Sequence, residues 1–302
     1  MADAPQPETD ADTDLDLWVS ETHQGHVRLG FKVDETLFSG KSPFQKVDVV
    51  RTRGHGALLL NDGIVMLTER DEFVYHEMIA HVPLFVHPDP KRVLVIGGGD
   101  GGTAREALRH PSVERVLMIE IDEMVVAACK AHMPSVNAGV YDDPRMELRI
   151  ADGVKFVAET EEKFDVVLVD STDPIGPAAP LFDRAFYENV SRLLTERGIL
   201  ITQAESPFYD PEIQAPMLGN QRPFFSKLHI YLFTNLTYPG GLWSFGFASK
   251  GPCPIQDFEP ERVRAAGLST RWYTPGVHRA AFQLPAFVSE NLAGVLDPAP
   301  ES

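Results

Sequence analysis

A glycine-rich loop between an apolar run and a helical stretch constrains the fold of this chain more than any other feature. In VLVIGGGDGGTAREALRH, residues 93–110, four apolar residues precede the glycines and a helical pattern follows them. Gly97, Gly99 and Gly102 fit the G-x-G-x-x-G spacing, at which a chain turns tightly off a strand and brings backbone N–H groups up to a ligand. We therefore expect a strand, a ligand-binding loop and a helix here.

Apolar runs alternate with helical stretches through the rest of the second part of the chain. The further runs are VLMIEI (116–121), ELRIAD (147–152), FDVVLVD (164–170) and GILITQA (198–204). This alternation is typical of an α/β fold with a mainly parallel sheet and helices on both faces. Ligands of such sheets bind beyond the carboxyl ends of the strands, so the residues after each run are candidates for a site.

The first part of the chain has a different pattern. FKVDETLF (31–38) has weak strand character, and HGALLLNDGIVMLTE (55–69) predicts a hairpin that turns at Asn61-Asp62-Gly63. ERDEFVYHEMIAHVPLF (69–85) has helical spacing and leads into the second part. We predict an acidic disordered tail at residues 1–17, a small β-rich domain at 18–90 and a Rossmann-like catalytic domain at 91–302.

Acidic residues recur at the predicted strand ends. Asp100 lies in the glycine loop, where a carboxylate repels a pyrophosphate and attracts a cation. Glu120 falls where a ribose-binding acid follows such a loop, and Asp152 either caps the next helix or contacts an adenine. Asp170 and Asp173, taken alone, suit turn formers beside Pro and Gly. Because all five meet at one sheet edge, we favour a site for a cationic nucleoside.

The charge balance is consistent with a small cationic substrate. Lys and Arg number 27 and Asp and Glu number 44, which gives a net charge of −17. Such a charge argues against nucleic acids and membrane surfaces as partners. Taken alone, this charge is better explained by solubility, so it supports a cationic substrate without establishing one.

Metal, disulfide and targeting signals are weak. HEMIAH (76–81) has the spacing H-E-x-x-x-H, which places its two histidines on different faces of a helix, so we predict no metal. Two cysteines, Cys129 and Cys253, favour a reducing compartment over a disulfide scaffold. The N-terminal sequence has neither the basic start nor the apolar core of a signal peptide, and we expect a cytoplasmic protein.

Several motifs together resemble one family. GGGDGG, the preceding DEFVYHEM, and the later YDDPR, IADG, DSTDPIGP and TYPGGLWSFGFASK are similar in order and spacing to segments of the spermidine synthases, which are polyamine aminopropyltransferases. The resemblance runs from about Trp18 to Ala286 and leaves out the acidic tail. It implies a small N-terminal β domain, a methyltransferase-like Rossmann domain, and a homodimer or homotetramer.

The resemblance also implies an activity and a set of site residues. The family transfers an aminopropyl group from decarboxylated S-adenosylmethionine to a diamine, usually putrescine, and needs no other cofactor. The implied cosubstrate-binding residues are Gln45, His76, Gly97, Gly99, Asp100, Glu120, Asp152, Gly153 and Pro177. The implied amine-binding residues are Tyr75, Asp173, Tyr238, Gln203, Glu205 and Trp243, although the aromatic ones also suit a core.

The chemistry assigns a catalytic role to Asp170 as the acceptor of the amine's proton. Asp173 either holds the attacking nitrogen in line or holds the far ammonium of the amine. Residues 174–181 form either a lid over the site or an ordinary surface loop.

Three alternatives stay open from the sequence. An aminopropyltransferase of this kind can act on agmatine or on a longer polyamine instead of putrescine. A methyltransferase has the same fold, although Asp100 would repel the carboxylate of intact S-adenosylmethionine. A polyamine-binding module without activity is disfavoured by the nucleoside site.

Overall fold

The computed structural model describes residues 16–174 and 176–298, and this part of the chain begins with an antiparallel sheet. Its five strands pair in sequence order. They are β1 Leu17–His23, β2 Val27–Lys41, β3 Lys46–Thr52, β4 Gly56–Asn61 and β5 Ile64–Thr68. Asp62 and Gly63 join β4 to β5 with φ angles of 50° and 84°, as a two-residue type I′ turn requires, so the predicted hairpin is confirmed.

The second sheet has seven strands in the order β11-β12-β10-β9-β6-β7-β8. The strands are β6 Arg92–Gly97, β7 Arg115–Glu120, β8 Met146–Ile150, β9 Phe164–Asp170, β10 Leu194–Gln203, β11 Lys227–Thr234 and β12 Leu242–Ser249. Strands β6 to β10 pair in parallel and match the five predicted runs. Strands β11 and β12 extend the sheet with antiparallel pairing and lie outside those runs.

Helices cover both faces of the second sheet, as the alternation predicts. They are α1 Glu72–Val86, α2 Gly102–Leu108, α3 Glu123–His132, α4 Pro134–Asn137, α5 Gly153–Glu159, α6 Arg184–Leu193, α7 Pro211–Gln221, α8 Pro260–Ala266, α9 Pro275–Ala281 and α10 Ala286–Asn291. Short 3-10 helices lie at Val140–Asp142, Gly176–Phe182 and Arg222–Phe224. In β6, Val93 and Val95 pack with α1 and α2, while Leu94 and Ile96 pack with α5 and α6.

The predicted tail lies outside the described residues except for Asp16 and Leu17, and β1 already begins at Leu17. FKVDETLF, for which the sequence shows weak strand character, lies inside the 15-residue strand β2. None of the described helices combines the length and the apolar composition that a membrane span requires.

Helix α1 is the buried element that connects the two sheets. It packs against α2 and against strands β9, β10 and β11 of the second sheet. The predicted domain boundary at residue 90 falls between α1 and β6. Almost every residue of α1 is buried. The buried residues include Glu72, His76, Glu77 and His81, whose side chains therefore need polar partners.

Glu77 shows how one of these buried groups is satisfied. Its side chain is 2% exposed, and its carboxylate accepts hydrogen bonds from the backbone N–H groups of Arg271, Trp272 and Tyr273 at 2.7, 2.8 and 2.7 Å. The helix is thereby fastened to the C-terminal segment, which has no strand of its own there.

We expect Glu77→Ala to lower the free energy of unfolding by about 2–4 kcal/mol, because three backbone donors, one buried and two partly buried, lose their acceptor. Urea denaturation followed by circular dichroism measures this change. Glu290→Ala, in exposed positions of α10, is the control and should stay within about 0.5 kcal/mol of the wild type. Equal stabilities of the two variants would contradict the anchoring role of Glu77.

Candidate active site

The candidate site begins where β6 and β9 lie side by side. Strand β6 has β7 on one side and β9 on the other. The connections that follow β6 and β9 therefore run to opposite sides, and a crevice opens between them at the carboxyl ends of the two strands. Gly97 pairs with Asp170 across this crevice, and a Cβ at Gly97 would lie 2.0 Å from the Asp170 carbonyl oxygen. With φ at 83°, position 97 therefore accepts glycine alone.

A cavity of about 160 Å³ occupies this crevice. Most of the predicted site residues line it, and they come from both parts of the chain. They are Gln45, Tyr75, His76, Gly97, Gly99, Asp100, Glu120, Asp152, Gly153, Asp170, Gln203 and Tyr238.

A smaller chamber of about 30 Å³ lies next to this cavity. Asp173 and Trp243 line it together with Glu21 of β1, and Gln203 and Tyr238 line both spaces. A chamber of this size has room for a single small group such as an ammonium. The predicted amine residues thus lie on the wall between the two spaces or beyond it.

Two predicted residues are placed differently. Glu205 lines neither space and is buried behind the smaller chamber. The side chain of Pro177 lies outside the described part of the structure. Asp152 lines the large cavity and also caps α5 by accepting from the N–H groups of Val154 and Lys155, so both of its proposed roles are compatible with its position.

His76 lies at the centre of a buried charge network. Its Nδ1 is 2.5 Å from Glu72 Oε2 and its Nε2 is 3.2 Å from Asp100 Oδ1. Burial alone would lower the pKa of His76, but the ion pairs with Asp100 and Glu72 raise it to about 10. His76 therefore carries a proton on both nitrogens at neutral pH.

Asp100 is ionised and held in place by this network. Burial would raise its pKa, but His76, the N–H of Gly102 and Arg105 lower it. Oδ1 accepts from Gly102 at 2.7 Å and contacts His76, which leaves Oδ2 without a hydrogen bond to any described residue. One carboxylate oxygen is thus available to a ligand in the cavity.

Three side chains of the site have the spacing of a metal cluster. Ligand atoms of His76, Asp100 and Asp170 lie within 4.8 Å of one another. However, both ring nitrogens of His76 already face carboxylates, Nδ1 at 2.5 Å from Glu72 and Nε2 at 3.2 Å from Asp100. This cluster fits an organic cation, held by the two carboxylates, better than a metal.

Asp170 ends β9 and faces the cavity. Its Oδ2 accepts from Thr103 Oγ1 at 2.7 Å, and its carboxyl faces the hydroxyl of Tyr75. Burial and the nearby negative charge of Asp100 raise the pKa of Asp170 to about 6. Asp170 is therefore a stronger base than an exposed aspartate and is still mostly ionised above neutrality.

Two tyrosine hydroxyls that line the large cavity already have hydrogen-bond partners. Tyr238 donates its proton to the carbonyl of Met66 at 2.8 Å, and the hydroxyl of Tyr75 accepts from Gln203 Nε2 at 2.9 Å. A phenol that has already donated its proton can only accept from a further partner. Tyr238 thus suits an N–H donor such as an amine.

Glu120 lies beside the glycine loop. It accepts from the N–H groups of Gly99 at 3.1 Å and Asp122 at 2.8 Å, and burial raises its pKa to about 7. Gln45 reaches the same region from the first sheet and donates to Asp122 Oδ2 at 3.0 Å. The first sheet therefore closes the cavity over the loop.

Sequence reasoning missed several polar residues of the site. Glu72 and Thr103 hold His76 and Asp170, and Glu21 lines the smaller chamber. The spacing of Glu72 and His76, four residues apart on a helix, was a usable signal. The sequence offers no comparable signal for Glu21, which reaches the chamber from a distant strand.

The helix α2 approaches His76 so closely that only glycine fits at its start. A Cβ at Gly102 would lie 2.2–2.6 Å from three atoms of the His76 ring. Because Glu72 and Asp100 fix this ring on both sides, it cannot swing aside without breaking an ion pair.

We expect Gly102→Ala to lower the free energy of unfolding by about 1–3 kcal/mol through overpacking. Gly219→Ala, in helix α7, is the matched control, because nothing lies within 4 Å of its Cβ position. That control should keep or raise the stability, since alanine favours a helix by roughly 0.5–1 kcal/mol over glycine. Chemical denaturation of both variants checks this, and a neutral Gly102→Ala would contradict the rigid placement of His76.

Family models match both parts of the chain. Residues 72–258 match the spermine/spermidine synthase domain, and residues 17–69 match the spermidine synthase tetramerisation domain. Among curated proteins, the polyamine aminopropyltransferase of Alkaliphilus metalliredigens is 45% identical over 92% of this chain and 98% of its own length. The polyamine aminopropyltransferase of a Thermoanaerobacter species is 46% identical over 91% of this chain and 98% of its own length.

Solved structures agree with these matches. A spermidine synthase crystallised with the transition state analogue AdoDATO is 41% identical, with a TM-score of 0.89 over 97% of this chain and 98% of that one. The spermidine synthase of Thermotoga maritima is 43% identical, with a TM-score of 0.87 over 91% and 94%. These similarities confirm the predicted fold and enzyme class. The chain belongs to the spermine/spermidine synthase family of polyamine aminopropyltransferases.

Proposed function

We propose that this protein transfers the aminopropyl group of decarboxylated S-adenosylmethionine to putrescine, giving spermidine and 5'-methylthioadenosine. The observation that carries the proposal is the position of Asp170, a carboxylate on the large cavity. The same cavity is lined by Tyr75, and by Tyr238 and Gln203, which also line the smaller one. The AdoDATO complex of a relative supports a nucleoside cosubstrate in the large cavity.

The cosubstrate's charges fit the acids of the large cavity. We assign its amine to the free oxygen of Asp100 and its ribose to Glu120, while Gln45, His76, Gly97, Gly99, Asp152, Gly153 and Pro177 complete its surroundings. Intact S-adenosylmethionine has a further carboxylate, which Asp100 would repel. No metal is assigned a role, because the cationic sulfur already leaves as a neutral thioether.

The amine is assigned to the wall between the two spaces. Tyr75, Tyr238 and Gln203 hold the attacking nitrogen, Asp173 holds the far ammonium, and Trp243 covers the methylene groups. Glu205 lies behind Asp173 as a further polar group at the end of the amine site. This places the attacking nitrogen next to Asp170 and in line with the carbon beside the sulfonium.

The transfer is a displacement at that carbon. The amine lone pair forms the new C–N bond while the C–S electron pair moves onto sulfur, and the nitrogen then gives its proton to Asp170. An ordinary primary amine has a pKa of about 10.4, so its neutral form costs roughly 4–5 kcal/mol at neutral pH. The adjacent sulfonium lowers the pKa of the amine, and the raised pKa of Asp170 makes it the better acceptor.

We further propose that the protein acts in the cytoplasm as a homodimer or homotetramer. The match of residues 17–69 to a tetramerisation domain supports an assembly through the first sheet. Incubation with decarboxylated S-adenosylmethionine and a panel of putrescine, agmatine and spermidine, followed by mass analysis, tests the acceptor. Release of 5'-methylthioadenosine without a favoured amine would contradict putrescine as the substrate.

Asp100→Asn should weaken binding of decarboxylated S-adenosylmethionine by about 10- to 100-fold, the equivalent of one hydrogen bond to a charged group. The variant should also discriminate less between decarboxylated and intact S-adenosylmethionine, because residue 100 no longer repels the carboxylate of the intact form. Calorimetric titrations of the two nucleosides measure both effects. Glu123→Gln, which removes the same charge from the exposed start of α3, is the control and should leave the ratio unchanged.

Asp170→Asn should lower the single-turnover rate at saturating amine by roughly 10²- to 10⁴-fold, the usual range for a positioned acid or base. In the wild type, kcat/KM for the amine should rise as the pH increases through about 6, because the raised pKa of Asp170 keeps its acceptor form scarce below that value. It should rise again on the alkaline side as the amine loses its proton. The Asp170 variant should keep only this second rise.

Asp173→Asn is the companion variant and should mainly raise the KM of the amine, because a lost charge partner weakens binding of the far ammonium. The reverse pattern, in which Asp173→Asn abolishes the chemical step and Asp170→Asn changes KM alone, would exchange the two roles.

A further inference from the structure

The smaller chamber ends in a group of carboxyl side chains that exceeds the needs of one ammonium. Behind Asp173 lie Glu205 and Asp210, and we call these three residues the far-end cluster. Burial raises the pKa of all three, and repulsion within the cluster adds to this at Asp173 and Glu205. No lysine or arginine occurs among the described residues that line either space.

The ring of His23 is the side chain that the far-end cluster faces across its 3.9 Å contact with Asp210. His23 follows Glu21 by two residues on β1, so both side chains point to the face that borders the chamber. The His23 ring lies edge-on to Tyr209 and Trp243, with centroids 4.9 and 6.3 Å apart. Trp243 is a wall of the chamber, so His23 stands directly behind that wall.

The contact between His23 and the cluster is electrostatic and loose. His23 Nε2 is 3.9 Å from Asp210 Oδ2, which is within ion-pair distance but too long for a hydrogen bond. His23 also lowers the pKa of both Asp173 and Asp210. Because no hydrogen bond holds His23 to Asp210, an ammonium group can take its place without breaking one.

Two carboxylate oxygens of the cluster lack partners. Glu205 and Asp210 are 3% and 6% exposed, and no hydrogen bond reaches Glu205 Oε1 or Asp210 Oδ2 from the described residues. Glu205 also has a φ of 58°, a conformation that residues other than glycine seldom adopt. Buried unpaired acceptors on a strained residue are typical of a ligand-binding position.

The turn after β1 holds His23 in this place. Gln24 donates through Nε2 to Asp210 Oδ1 at 2.9 Å, and it also has a positive φ, of 49°. This bond ties the β1–β2 turn of the first sheet to the loop before α7. The end of the chamber is therefore formed by residues from both parts of the chain.

We propose that His23 is a specificity-determining residue, which occupies the place of a third cationic nitrogen beside Glu205 and Asp210 and thereby restricts the acceptor site to diamines. The inference rests on the proposed aminopropyl transfer and adds a length limit to it. A triamine bound with one nitrogen at Asp170 and the next at Asp173 extends its third nitrogen toward this position. In the wild type, His23 keeps the product of the diamine reaction from re-entering as an acceptor.

The test compares a diamine and a triamine in the wild type and in His23→Ala. The probes are putrescine and spermidine, and the readout is the ratio of kcat/KM for spermidine to that for putrescine. We expect His23→Ala to raise this ratio about tenfold or more, because the two unpaired carboxylates become accessible to the third nitrogen. His23→Gln, which keeps part of the side chain's size and a polar end, should raise the ratio to a smaller extent.

Two further variants test whether the effect of His23→Ala depends on Asp210 or on a loosened β1–β2 turn. In His23→Ala combined with Asp210→Asn, the ratio should fall back toward the wild-type value, because a partner of the third nitrogen is lost. His26→Ala, in the same turn and away from the cluster, is the matched control and should keep the wild-type ratio. Thermal unfolding confirms that each variant is folded.

Three results overturn the inference: an unchanged ratio in His23→Ala, an equal rise in His26→Ala, or a wild type that already uses spermidine as well as putrescine. If no amine yields 5'-methylthioadenosine, the proposed function fails separately. The ratio of the two amines' Kd values, measured by calorimetry with 5'-methylthioadenosine present, then decides the role of His23. Equal ratios in the wild type and His23→Ala would exclude it.

Discussion

The contact between the backbones of β6 and β9 at Gly97 and Asp170 is the constraint on which the site depends. The N–H of Gly98 donates to the Asp170 carbonyl at 2.8 Å, and no side chain fits at Gly97. This approach brings the glycine loop and the carboxyl end of β9 together at the switch point of the sheet. Asp100 and Asp170 share one cavity for this reason, although 70 positions separate them in the numbering.

Buried charges in this region are tolerated because they form a compensated network. Glu72, His76, Asp100 and Arg105 alternate in sign, with Arg105 Nη2 at 2.9 Å from Glu72 Oε2. A buried charge destabilises the fold by several kcal/mol unless it is paired, and removal of one partner leaves the other charge buried without compensation. The network therefore fixes the direction of Asp100 and keeps it ionised, while Asp170 lies outside it and has a raised pKa.

The sequence predicts the local elements of the site better than its long-range contacts. The strand, loop and helix around Gly97 and the acids at the strand ends follow from periodicity and from the rule for parallel sheets. The resemblance to a known family adds Tyr75 and Tyr238. His23 and Asp210 come together across 187 positions, and their contact depends on how the β1–β2 turn meets the second sheet. No local sequence pattern predicts this long-range contact. Strands β11 and β12 were not predicted because no helix lies between them, so the alternation of strands and helices does not extend to them.

The anchoring of helix α1 has a consequence for how the protein opens. Glu77 follows His76 directly, so the same helical turn faces the cavity on one side and the C-terminal segment on the other. Amide hydrogens of Arg271, Trp272 and Tyr273 are bonded to Glu77 and can exchange with solvent only when that segment or the helix moves away. Their hydrogen exchange rates therefore measure how often α1 separates from the C-terminal segment, although these three residues line neither space of the site.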